Sequence, residues 1–305
     1  MTATASTPEA KPVPGLKRFA LPLLLLGAVA IACSPIFVRL SEIGPIATAV
    51  HRVLLALPIL FLFQVVSPKA AVERTPNKAS DWGLLALAGF MFAGDLATWH
   101  WSVGMTTVAN ATLLANFAPI FVALFSWLVF KERFTRLFLA GLALSMIGAM
   151  TLMGASLQVG TETLMGDLMA LFCGVFYAGY ILSIARLRSR FDTTTVMLWT
   201  SLGTFLFLLP LCWIQGESLI APSLYGWLIL VGLAVISHAG GQSLIAFSLA
   251  HLPASFSSVV LLMQPVVAAI LAVLILGEVP LVWQAVGGVV VLIGIYLAKR
   301  GTLAS

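Results

Sequence analysis

Asp95 is the one acidic residue that falls deep inside an apolar stretch of this chain. A carboxylate in hydrocarbon costs about 3 kcal/mol on insertion scales, so such groups face a bundle interior or water, where they handle a cation or a proton. Helical spacing sets Phe92, Asp95, Leu96 and Trp99 on one face. A second face answers it 146 residues further on, where the same four positions are His238, Gly241, Gln242 and Ile245. His238 brings an imidazole, a group that ordinarily titrates near neutral pH. Gln242 brings an amide, and Gly240-Gly241 leaves room beside it. Tyr177, Asn110, Asn116 and Gln264 add further polar points inside apolar runs. Aromatic walls with few polar groups describe a small-molecule site. Asp95, Trp99, His238, Gln242, Tyr177 and Asn110 are therefore predicted to bind substrate, with Asp95 near a cationic group. Helix–helix hydrogen bonds are the competing use, above all for Asp95 and His238. Arg52, about seven residues into another apolar run, is a candidate charge partner. It has three outlets: snorkelling to the surface, a pair with Glu42, or a substrate carboxylate.

Other chemistries find no support in the residues. There is no phosphate loop, nucleotide fingerprint, metal-ligand cluster or hydrolase nucleophile motif. No cofactor and no metal are expected. Cys33, Cys173 and Cys212 all fall in apolar runs, where a free thiol packs as a small hydrophobe. An intramembrane enzyme would need a nucleophile beside His238. Ser237 adjoins it but points about 100° away on a helix, so an enzyme is the weaker reading. Gly94-Asp95 resembles part of an intramembrane aspartyl protease signature, without a second glycine or partner aspartate. Ala30-Ile31-Ala32-Cys33 imitates a lipoprotein cleavage site, but the apolar run continues past it. Asn110-Ala111-Thr112 fits a glycosylation acceptor that lies within a span. His100 and His251 fall near span ends and are expected at the membrane interface.

The elements that must position these groups follow from composition. Hydrophobic residues make up 61% of the 305 and charged residues 9%, against about 45–50% and 25% in soluble domains. Ten stretches reach the roughly 20 apolar residues of a membrane span: about 19–38, 45–66, 81–103, 107–130, 134–153, 164–185, 194–214, 225–250, 255–277 and 282–298. They are apolar all round, so they read as helices and not as the alternating strands of a barrel. The predicted fold is an all-α integral membrane protein with the lipid bilayer as its partner. With the N-terminus placed inside, fourteen of the sixteen Lys and Arg residues lie on the inner side, leaving Arg39 and Arg52 outside. That bias puts both termini in the cytoplasm. It also accounts for the basic pI without nucleic acid.

The chain repeats itself. Residues 101–119, ending at Pro119, align without a gap to residues 247–265, ending at Pro265. Glu132 then falls on Glu278, Gly141 on Gly287 and Gly148 on Gly294. Five spans per copy is an odd number, so the second copy is expected upside down, a 5+5 inverted repeat suited to alternating access. The expected organisation is a cytoplasmic tail 1–16, a first repeat 17–156, a second repeat 157–300 and a tail 301–305. Pro119 and Pro265 are the predicted paired hinge, because each removes a helix hydrogen bond. The glycines of spans five and ten read as close helix packing or as the face of a homodimer.

Ten spans in this arrangement, Arg52 early in span two, Pro119 with Lys131-Glu132-Arg133, and Pro265 with Gly277-Glu278 resemble the drug/metabolite transporter superfamily, in particular its EamA-type exporters. The resemblance runs from about residue 21 to 299, and within the superfamily it is similar to bacterial amino-acid and aromatic amino-acid exporters. It implies secondary transport of small metabolites, outward, across a bacterial inner membrane. The expected cargo is amino acids, aromatic or hydrophobic ones first, with multidrug or cationic-compound export as the alternative.

Overall fold

The computed structural model describes residues 17–66, 75–106, 108–153, 162–276 and 282–303. Ten helical spans are long and apolar enough to cross a membrane: Lys17–Leu40, Pro45–Val66, Ala79–Ser102, Ala111–Phe130, Arg136–Met153, Leu164–Arg188, Thr193–Ile214, Leu224–Ser248, Ala254–Leu271 and Val282–Leu303. No strand occurs among the described residues. The chain is a multi-pass membrane protein. Helices result because hydrocarbon offers the backbone no partner, and a helix satisfies its own N–H and C=O groups. Large apolar side chains such as Phe61, Val66, Ile214 and Leu274 point outward, where lipid replaces water.

Partner choice among the spans is regular. Span three lies along span six, span one along span eight, span two along span seven, and span five along span ten. A shift of five exchanges the first two pairs and returns the last two to themselves. The two sequence repeats are therefore interleaved and do not form separate bodies. Small residues make the closest approaches. A Cβ on Gly141 would meet the Ala298 nitrogen at 2.3 Å, and one on Gly148 the Val291 nitrogen at 2.5 Å. The glycine faces of spans five and ten thus meet each other within one chain. The face offered above to a second copy is occupied.

Polar contacts between loops sort onto two ends. At the end bearing Lys17 and Leu303, the terminal face, Arg190 pairs with Asp81 at 2.9 Å and Ser255 donates to Glu132 at 2.6 Å. Thr135 donates there to the Gly301 carbonyl at 3.0 Å. At the opposite face the Ala47 N–H donates to Glu217 at 2.7 Å, Ser223 to Glu42 at 2.6 Å and Thr106 to Asp167 at 2.7 Å. Span seven is capped locally: Asp192 accepts from the Thr195 N–H and from the Thr194 and Thr195 hydroxyls, each at 2.7 Å. Burial pushes the Asp192 carboxyl up, but these bonds and Arg188 together hold it below the usual carboxylate range.

Several spans are broken. Span one divides at Cys33 into Ala20–Ala32 and Ser34–Leu40. Span four divides after Val108–Ala115 and resumes as Ala118–Phe130; span nine divides after Ala254–Leu261 and resumes as Met263–Leu276. Pro119 and Pro265 each sit in the first turn of the resumed segment, where a missing N–H is tolerated. Phe117 and Leu262 close the breaks with tight bonds to Leu114 and Val259, both at 3.1 Å. Span eight changes gauge, running as a π-helix over Leu233–Gln242.

Candidate functional site

The breaks and the wide turn surround one cavity of about 160 Å³. Its size is close to the roughly 150 Å³ apolar cavity that holds benzene. Span one contributes Ser34 and Pro35 from beyond its break, and span two contributes Arg52. Span three contributes Phe92, Asp95, Leu96 and Trp99; span four, Thr112, Ala115 and Asn116; span six, Cys173 and Tyr177. Gln242 closes it from span eight, and Gln264, Pro265 and Ala268 from span nine. Most of these residues belong to the halves of their spans nearer the opposite face; Tyr177 sits at the middle of span six and Gln242 past the middle of span eight, nearer the terminal face. Towards the terminal face the middle of the bundle is filled by Leu24, Leu60, Leu85, Leu187, Leu249 and Phe256, all buried.

Of the predicted site residues, Asp95, Trp99, Tyr177 and Gln242 are brought together on this cavity. His238 is not among its lining. Its Nε2 lies 2.8 Å from Ser201 Oγ on span seven, and its Nδ1 has no partner. The imidazole stacks on Phe92, with ring centres 5.6 Å apart, so it stands one layer behind the wall. The side chain of Asn110 lies outside the described residues; Asn116, one turn and a half further on, lines the cavity instead. Pro265 reaches the cavity, and Pro119 is buried behind it.

Two of the outlets open to Arg52 are closed. It is 7% exposed, so it does not snorkel, and Glu42 is engaged by Ser223 and not by Arg52. Its guanidinium lies 5.6 Å from the centre of the Phe92 ring, and its Nε has no hydrogen-bond partner. Phe92 is itself held in a deck of rings. It stacks on Tyr180 at 4.5 Å, and Tyr180 stacks on Tyr177 at 6.1 Å. The deck joins spans two, three, six and eight through side chains that the sequence scatters over 187 positions.

Sequence reasoning misses Cys173. Its thiol donates to Asp95 Oδ1 at 3.1 Å across the span three–span six contact. No spacing rule links positions 95 and 173, and only the pairing of the two spans brings them together. Gln242 Oε1, on the last residue of the π-helical segment of span eight, also lacks a partner. His100, two residues before the end of the apolar stretch of span three, is packed inside the protein: it is 5% exposed with Nδ1 bonded to the Leu96 carbonyl at 2.5 Å. Span three continues to Met105, so His100 still lies inside the helix. Among the described residues no cluster of three metal-ligating side chains occurs.

A ten-span bundle with a cargo-sized cavity between its halves defines a membrane transporter of the drug/metabolite class. The profile of the EamA-like transporter family matches residues 18–154 and again 164–300. The chain belongs to that family. An uncharacterized transporter of Archaeoglobus fulgidus is 27% identical over 90% of this chain and 95% of its own. The pseudopaline exporter of Pseudomonas aeruginosa is 25% identical over 71% and 75%. A probable terminal-alkyne amino-acid exporter of Streptantibioticus cattleyicolor is 26% identical over 74% and 76%. A protein of known crystal structure superposes with a TM-score of 0.81 over 94% of this chain and 98% of that one, at 18% identity, which speaks to fold alone. The family and the named relatives are transporters, not enzymes.

Proposed function

We propose that the protein exports small amphipathic metabolites, aromatic and hydrophobic amino acids first, across a bacterial inner membrane. The observation that carries this is the cavity: about 160 Å³, walled by Trp99 and Tyr177, with charge limited to Asp95 and Arg52. Nucleotides and other highly charged cargo call for several buried cations; Arg52 is the single basic residue in this wall. Two relatives named as exporters, one of an amino acid, agree with the class.

The mechanism we infer is alternating access by an inverted five-plus-five repeat. Its support is the odd number of spans per copy and a span pairing that a shift of five leaves unchanged. The distribution of Lys and Arg supports a cytoplasmic position for both termini. Most of the cavity wall then lies on the periplasmic side of the filled layer, the arrangement expected of an outward-facing conformer. Pro119 and Pro265 stand where spans four and nine already break, the places at which bending costs least. A second reading, export of lipophilic cations, is favoured by Asp95 among aromatic rings. It leaves Arg52 as a repulsive neighbour in the same wall.

Inside-out membrane vesicles test both parts. Labelled phenylalanine is expected to accumulate in vesicles from overexpressing cells and not in vesicles lacking the protein. In the same vesicles, a membrane-impermeant maleimide should label Thr75→Cys and spare Ser218→Cys. Accumulation of lipophilic cations without amino acids, or the reverse labelling, overturns the corresponding part.

A further inference from the structure

We infer that the cavity is a zwitterion clamp, in which Arg52 takes the carboxylate and Asp95 the ammonium of one cargo molecule. The inference rests on the transporter reading above and narrows it to a charge pattern.

The argument begins with Arg52. A guanidinium keeps its charge in proteins, and burying it is costly unless it is paired. Arg52 is 7% exposed and forms no ion pair, and its Nε has no hydrogen-bond partner. The Phe92 face lies against it, and such a contact returns much less than the hydration lost. Something absent from the folded chain must complete the site.

Asp95 poses the opposite problem in the same wall. Its partner is the Cys173 thiol at 3.1 Å, a weak donor. Asp95 and Arg52 both line the cavity, on neighbouring spans, yet no nitrogen–oxygen pair between them comes within 4.0 Å. Structural partners would close that gap, since an Arg side chain is long and flexible. The ring deck prevents it: Phe92, stacked on Tyr180 and His238, gives the guanidinium a fixed platform. Two opposite charges are thereby held on the wall of one small cavity without neutralising each other.

The chemistry of the cargo follows. A simple cation satisfies Asp95 and leaves Arg52 buried, unpaired and repulsive. A simple anion does the reverse. A molecule carrying both charges a bond or two apart satisfies both walls, and a guanidinium binds a carboxylate in two-pronged fashion. The unpartnered Gln242 Oε1 offers the ammonium a further acceptor, and Trp99 offers its ring to an apolar side chain. The class is the free α-amino acid, with both termini unblocked.

The test uses the full-length protein in proteoliposomes with labelled phenylalanine, against unlabelled phenylalanine, phenethylamine (no carboxylate) and 3-phenylpropionate (no ammonium). Losing one charge-assisted contact is expected to weaken competition by about 30-fold for each analogue. Arg52→Gln should bring phenylalanine down to the level of phenethylamine, and Asp95→Asn should bring it down to that of 3-phenylpropionate. Arg52→Lys and Asp95→Glu, which keep the charges, should retain the ranking and serve where the neutral variants fail to fold. Phenylalanine flux in which phenethylamine competes equally overturns the clamp and leaves the exporter reading standing. Flux of a lipophilic cation such as tetraphenylphosphonium with none of phenylalanine overturns the amino-acid reading and the clamp together.

Discussion

Span three and span eight stand 146 residues apart and carry matching positions, yet they serve the cavity differently. Span three is a regular α-helix over Ala79–Met105, and Phe92, Asp95, Leu96 and Trp99 all reach the wall. In span eight only Gln242 does. His238 turns to Ser201, and Gly241 packs on span one, where an added Cβ would meet Ile31 at 2.7 Å and the Gly27 carbonyl at 3.2 Å. Ile245 closes the same seam, 3.0 Å from where a Cβ on Gly27 would stand. The π-helix explains the difference. Its turn holds more residues than an α-turn, so equal sequence offsets stop landing on equal faces. One span became a wall, and its counterpart became a seam with a single side chain looking in.

The largest effect expected from this contrast is at the seam. Gly241→Leu must drive span eight away from span one, at a cost of about 3 kcal/mol. Gly83, in span three, has open space where a Cβ would stand, with nothing within 4 Å. Gly83→Ala should therefore melt at or slightly above the wild-type temperature. Thermal unfolding in detergent compares the two, and equal melting temperatures would remove the distinction between wall and seam. Next comes the wall itself. Trp99→Ala should raise the KM for aromatic amino acids about tenfold through lost ring contact and burial, with the melting temperature little changed. A variant that melts early and keeps its KM would place Trp99 in the packing. The smallest effect belongs to the layer behind. Ser201→Ala removes the one hydrogen bond made by His238 and should lower stability by about 1 kcal/mol. Since His238 stands outside the lining, cargo affinity should hold; a tenfold loss of affinity would bring His238 forward into the site.

The spans themselves were legible because twenty apolar residues leave a chain few options in hydrocarbon. The predicted stretch 45–66 coincides with Pro45–Val66, and 164–185 falls short of Leu164–Arg188 by three residues. The convergence of Asp95, Trp99, Tyr177 and Gln242 followed from helical spacing and from the scarcity of polar groups. Facing was not legible. A span apolar on every side has no stripe to show which flank meets a neighbour, so neither the Cys173–Asp95 bond nor the burial of Arg52 over Phe92 had a signal in the sequence. The change of helical gauge in span eight, over Leu233–Gln242, was equally silent. That is why a spacing rule sets His238 in the wall when its own helix does not obey that rule.

The cap on span two has a mechanical meaning. The N–H of Ala47 is satisfied by Glu217, 170 positions away in the loop that follows span seven, while Glu42 receives Ser223 from the start of span eight. Each loop thus lends its carboxylate to the other's helix. Any hinge that parted the chain along its sequence repeat would tear two carboxylates from their donors in the same stroke. On the proposed mechanism the cheaper division leaves this clasp whole, so that the entrance of span two, with Arg52 seven residues after Pro45, is expected to move with the second half. On the proposed alternating-access mechanism, the boundary between moving parts is expected to differ from the boundary between the two sequence repeats.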